Sequence, residues 1–314
     1  MRQNLTPDNA SLLTPVAHVR IGWISAVTWS PDGQTIAVAG GTKVYVYYRS
    51  FGATPTFTLE GHDGPVKDVA IGRDNDLLAA VGADGRVLVW TSDGTPRRVH
   101  DFGVRDALTC VTFSSDSRRL VAGGGNGEVS VWDLHTRSLT VLPYPHGGEV
   151  TAVKWRMGNI FSAGRDGELL ARDMADPRSA PIVTAAQSDW IRDFALSADN
   201  RVAYTVSKDG TLRGWTREGD MLFRVMAHEG GADCVAVHHS GKLIATGGRD
   251  QSVRLWEADS LLTGRPVLPV AMLTAHTKPV LALAFNPQGT MLLTGGGDNS
   301  ALLWSVEERN AGGN

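Results

Sequence analysis

Four residue types able to do chemistry recur together along this chain at fixed spacing. Histidine, a hydroxyl residue, aspartate and tryptophan stand at His228, Thr246, Asp250 and Trp256, and again at His276, Thr294, Asp298 and Trp304, separated by 18, 4 and 6 residues in both sets. A hydroxyl, an imidazole and a carboxylate in one hydrogen-bonded line form an acyl-transfer nucleophile with its general base and orienting acid. The same groups can instead satisfy one another's polar atoms inside a fold, with the indole N–H as a further donor, and so lock a turn. The second reading is preferred. The hydroxyl is a threonine inside a β-type run, and the first reading would repeat one active site several times along the chain.

Incomplete copies fill the rest of the sequence. His62, Asp84 and Trp90 go with Ala80 at the hydroxyl position, and His146, Ser162 and Asp166 with Arg172 in place of tryptophan. Thr205, Asp209 and Trp215 go with Gln187 in place of histidine. Trp132 goes with Ala122 and Asn126 and an apparent four-residue expansion after His100, and Gly41 with Tyr47 fits worst.

The elements that must position these residues repeat every 41–48 residues, the period of a propeller blade. Each unit begins with a short apolar strand, at Ile24, Val66, Leu108, Val150, Ile191, Ala232 and Val280. A turn cluster such as Ser30–Gly33 or Asn286–Gly289 introduces a second β-type run, and a third ends on the aromatic position. A fourth strand, such as 57–60, precedes the next unit. Four short antiparallel strands cannot bury both faces of their sheet alone, whereas units packed radially against neighbours can.

Gly61-His62 with Trp90, and Trp132-Asp133, carry the GH and WD signatures, and over residues 12–305 the chain resembles the WD-repeat family. The resemblance implies an all-β, seven-bladed propeller of four-stranded antiparallel blades, with the His–Thr–Asp–Trp sets as structural tetrads. No convincing fourth strand follows Ser305, while Ser11–Ala17 reads as one. The expected organisation is therefore a flexible tail over 1–10, one propeller over 11–305 closed by 11–17 completing blade seven, and a flexible tail over 306–314.

A net charge of −3 argues against general nucleic-acid affinity. Two cysteines, Cys110 and Cys234, cannot frame a secreted disulfide scaffold, and they fall on blades too far apart to pair. The N-terminus lacks a signal-peptide pattern and no window approaches a membrane span, so a cytoplasmic protein is expected. His238-His239 lacks further ligands at metal spacing, and the glycine runs at 123–127 and 295–298 lead into no helix, so neither metal nor cofactor is expected.

The resemblance implies a contact face formed by the loops between fourth and first strands and the turns between second and third. The residues preceding the turn acid there include Arg165, Lys208 and Arg249, and the opening of the first strands adds Trp23, Trp190 and Arg192. Arginine and tryptophan in such positions fit a binding site for a protein or peptide, including an acidic or phosphorylated one. The leading expectation is a non-catalytic scaffold or adaptor, monomeric by itself and working within a complex. The alternatives are an assembly subunit docking through its rim or the connection Glu257–Pro269, and a propeller enzyme with Asp68 and Asp193 in the central channel.

Overall fold

The computed structural model describes residues 2–92, 97–263 and 265–307. Their strands form seven four-stranded antiparallel sheets, an all-β seven-bladed propeller. The innermost strands, a, begin at Ile24, Val66, Leu108, Val150, Ile191, Ala232 and Val280, the starts read from the sequence. Strands b, c and d follow outward in each blade.

Both faces of the inner strands are buried, and this explains their composition. In strand c of blade two (Arg86–Thr91), Leu88 and Trp90 join an apolar cluster with blade one, while Val87 and Val89 join one with blade three. A strand buried on two sides needs a continuous apolar run, and alternation with polar residues disappears. The described residues form seven such clusters, one between each pair of adjacent blades. Every strand a also carries a β-bulge after its first residue, which displaces the second residue from the ladder.

The ring closes through blade seven, whose outermost strand is Thr14–Arg20, paired antiparallel with Ser300–Ser305. Pro15 sits at a register shift in this edge strand, where its missing N–H costs no ladder bond. The strand lies three residues later than the expected 11–17, because Ala10–Leu12 forms a 3-10 turn, and His18 falls within it.

The stretch 1–10 departs from the expected loose tail over the part described. Leu5 and Ala10 are buried in the cluster between blades six and seven, and the Leu5 amide donates to the Gly289 carbonyl at 2.8 Å. The Gln3 amide donates to the Val306 carbonyl, and the backbones of Arg2 and Glu307 form an isolated antiparallel β-bridge. The physical reason is Leu5, which fills an apolar gap that blades six and seven leave between them. Val306 is buried as well, and the rest of the expected tail, 308–314, lies outside the described residues.

Candidate functional site

The two complete sets form the expected networks. In blade six the Trp256 indole donates to Thr246 Oγ1 at 3.0 Å, which fixes that oxygen as an acceptor. The threonine proton then goes to His228 Nε2 at 2.8 Å, leaving Nδ1–H to donate to Asp250 at 2.8 Å. Blade seven repeats this with Trp304 to Thr294 at 3.0 Å, Thr294 to His276 at 2.8 Å and His276 to Asp298 at 3.1 Å. Burial pushes the His228 and His276 pKa values down, so both rings are neutral donors at neutral pH. Asp250 is drawn upward by burial, but the bonds from His228 and Ser252 outweigh this and hold it below the usual range. Thr246 and Thr294 are completely buried, so neither hydroxyl can meet a substrate.

The incomplete sets show what each missing partner costs. In blade two His62 holds Asp84 at 3.0 Å, but Ala80 supplies no hydroxyl and His62 Nε2 is buried without a partner. In blade four Arg172 takes the place of the indole. Its guanidinium donates to Ser162 Oγ and to the Tyr144 carbonyl, both at 2.6 Å, while Ser162 also meets His146 at 2.8 Å. A second donor type thus completes this network, which the residue substitution alone did not reveal. In blade five Trp215 donates to Thr205, but Gln187 cannot hold the turn acid, and Asp209 pairs with Arg213 instead. His100 is not the blade-three histidine that the sequence indicated. It lies in strand d of blade two (Arg98–Gly103), and blade three has no four-residue expansion of that kind.

The residues expected on the contact face fall into three groups. Arg165 of blade four and Lys208 of blade five both sit over the Trp190 ring, at 4.4 and 4.3 Å from its centroid. Arg192 and Arg249 share one carboxylate, Asp233, whose side chain is nearly buried. Trp23 stands apart on blade one, packed on the glycine position 297 of blade seven, with 55% of its surface exposed.

The cations are not free charges. Arg165 pairs with Glu149 at 3.0 Å and Lys208 with Asp189 at 3.9 Å. Asp189 was absent from the sequence-derived face; its position beside Trp190 in the loop leading into strand a is the signal that marks it. One carboxylate serves two guanidiniums at Asp233, so the spare positive charge is at the blade five to six end. Among the described residues no group of three His, Cys, Asp or Glu side chains converges for a metal, and no helix is long and apolar enough to cross a membrane.

Asp68 and Asp193 do line the central channel, but both oxygens of each accept backbone amides. Cys110 and Cys234 are free and buried.

Comparison with known proteins adds to this picture. The family model described as WD domain, G-beta repeat matches residues 11–47, 53–91, 97–133, 180–216, 219–257 and 268–305. The unmatched stretch 134–179 holds strands a to c of blade four, the blade with Arg172. An F-box/WD-40 repeat-containing protein of Arabidopsis thaliana is 25% identical over 73% of this chain, which spans 44% of that relative. Eukaryotic translation initiation factor 3 subunit I of Culex quinquefasciatus is 24% identical over 71% of the chain and 75% of its own length. Striatin-4 of Mus musculus is 25% identical over 71% of the chain, which spans 32% of the relative.

Proposed function

The chain belongs to the WD domain, G-beta repeat family, and from that premise we propose that it is a protein-interaction scaffold that binds a protein or peptide on the face bearing Trp23, Trp190, Arg165, Arg192, Lys208 and Arg249. WD-repeat proteins generally act as interaction scaffolds and as subunits of complexes, and relatives of this chain include a translation initiation factor subunit. The observation that carries the reading is the exposed Trp23 on the face that also holds the cation-flanked Trp190. Desolvating an indole of this size contributes more than a rim ion pair of about 0–1 kcal/mol, so aromatic contact supplies most of the affinity.

An acidic or phosphorylated group on the partner enters in narrower form. At Arg165 and Lys208 such a group must displace Glu149 or Asp189, exchanging one ion pair for another. At Arg192 and Arg249 it meets two guanidiniums that share one carboxylate, and there it adds a pair. The test is affinity capture followed by cross-linking of the retained partner. Cross-links concentrated on this face, and binding lost in Trp23→Ala with Arg249→Glu, support the reading. Cross-links confined to the opposite face or the rim overturn it.

The rim is the second reading, favoured by the outer strands of blades four to six. Ile182, Met221 and Met272 are each more than half exposed there, and Leu268 in the blade-six connection is 85% exposed. Apolar side chains on consecutive outer edges fit docking into a larger assembly.

A further inference from the structure

A small cavity of about 100 Å³ lies beside the incomplete tetrad of blade three. The loop 104–108 entering strand a, the b–c turn 124–128, strand c (Val129–Asp133) and strand d (Leu139–Val141) enclose it. Its origin is a break in the repeat. Two residues before the aromatic position of strand c, the other blades carry Tyr45, Leu88, Leu170, Arg213, Arg254 and Leu302, and blade three carries Ser130. One short side chain in a row of long ones leaves space in a close-packed fold. Ser130 is only 5% exposed and lines the cavity, and its hydroxyl makes no hydrogen bond to any described residue.

The strand register fixes which way Ser130 faces. It pairs with Ala122 of strand b and Val141 of strand d, and Ala122 and Trp132 pack toward blade two. Val129 and Val131 pack the other way, toward blade four. At the mouth of the cavity Asn126 Nδ2 donates to Asp106 at 3.1 Å and to Glu128 at 2.9 Å. One neutral amide thus holds two carboxylates together. Among the described residues neither carboxylate has a cation as partner, and Arg105 on the same loop is exposed and pairs with neither.

Blades five and six show what this place accepts. Arg213 lies on strand c of blade five (Thr211–Thr216) and donates to Thr211 at 3.1 Å and to the turn acid Asp209. Arg254 in blade six likewise donates to Asp250 at 3.0 Å. Asp209 and Thr211 correspond to Asn126 and Glu128, which border the blade-three cavity. The cavity therefore stands where blades five and six hold an arginine of their own.

We propose that this cavity receives an arginine side chain of a bound protein or peptide. The guanidinium fork pairs with Asp106 and Glu128 and donates to the Ser130 hydroxyl, while the stem lies against Val104 and Val141. A lysine ammonium is a point charge and cannot span two carboxylates as a planar fork does. A bare metal ion has too few ligands, since no three His, Cys, Asp or Glu side chains converge among the described residues. The cavity opens on the blade-three part of the proposed contact face, so the origin of the arginine in a partner rests on that reading.

The probe is acetyl-Gly-Arg-Gly-amide, titrated into the full chain and followed through the methyl resonances of Val104, Leu108 and Val141. Saturable shifts at these methyls are expected, and weaker binding of acetyl-Gly-Lys-Gly-amide. Affinity should fall about tenfold or more in Asp106→Asn with Glu128→Gln, both exposed side chains whose replacement leaves the core intact. Ser130→Leu restores the residue of blades two, four and seven and should abolish the shifts by filling the cavity. No saturable shift, equal binding of the lysine peptide, or unchanged affinity in the double variant overturns the proposal. The free peptide reports on the cavity alone. Cross-linking of a captured partner to another face would therefore defeat the scaffold reading and leave this site standing.

Discussion

Blade two lacks one atom, and supplying it is expected to stabilise the whole propeller. His62, Ala80, Asp84 and Trp90 have the spacing of 18, 4 and 6 residues seen in the complete blades six and seven. His62 Nε2 is buried with no partner, and the His62 and Trp90 rings lie 6.4 Å apart by centroid. Ala80→Ser places a hydroxyl where Thr246 stands in blade six, able to donate to the imidazole and accept from the indole. An unsatisfied buried acceptor costs about 1–3 kcal/mol, and a completed hydrogen bond contributes about 0.5–1.5 kcal/mol net. Against this stands desolvation of the new hydroxyl, about 1–3 kcal/mol before its bonds are made. The balance is a gain of about 1 kcal/mol. For a chain of this size that is a rise of about 1–3 °C in Tm, and a urea midpoint shifted upward at unchanged slope. The control is Ala122→Ser in blade three, where Val104 stands in the histidine position and no imidazole acceptor exists. It should be neutral or destabilising. If Ala80→Ser destabilises the chain, or both variants behave alike in denaturant titrations, the account of the tetrads as saturating networks is refuted.

Other outcomes follow from the same geometry. Deleting residues 1–17 removes four of the seven residues of the closing strand and is expected to leave an aggregating chain, visible by light scattering, while Leu5→Ala alone should cost about 2–4 kcal/mol because Leu5 is buried. Asp250→Ala and Asp298→Ala should each cost about 1–3 kcal/mol in urea titrations by stranding a buried imidazole donor, with Asn126→Ala in the incomplete blade three costing less. Arg172→Leu should cost about 1–3 kcal/mol, since it strips Ser162 and the Tyr144 carbonyl of a donor, and Arg172→Lys should recover only part of that loss. Because His228 and His276 are held neutral by burial, stability should fall as pH drops below the unfolded histidine value of 6.5, a loss that calorimetry across pH 7 to 5 would register.

The fold was legible because its determinants are local and repeated. All seven a-strand starts coincide with apolar runs placed 16–18 residues before a turn residue, and the complete tetrads have identical spacing. Ring closure was legible from a count, since a fourth strand is missing after Ser305 and one is spare before blade one. What escaped the sequence are features set by atoms meeting across chain distance. Leu5 looks like a lone apolar residue in a polar tail, and only the gap between blades six and seven gives it a burial site. Arg172 reads as a lost tryptophan, yet its long fork reaches the same hydroxyl from another direction. His100 was misplaced because a histidine in a d strand and one in the following loop differ by only a few residues. The proposed basic face was read as free cations, whereas each of them is paired with a carboxylate. The pairing of Lys208 with Asp189, and of two arginines with Asp233, depends on side-chain directions that spacing does not supply.

The most direct test of the central claim is quantitative affinity capture from the native cell with two full-length, folded variants beside wild type. One carries Trp23→Ala, Trp190→Ala and Arg249→Glu on the proposed face, and the other carries Ile182→Ser and Met272→Ser on the rim. The account predicts that proteins retained by wild type are retained by the rim variant and lost from the face variant. Equal retention by the face variant, with loss from the rim variant, would contradict it.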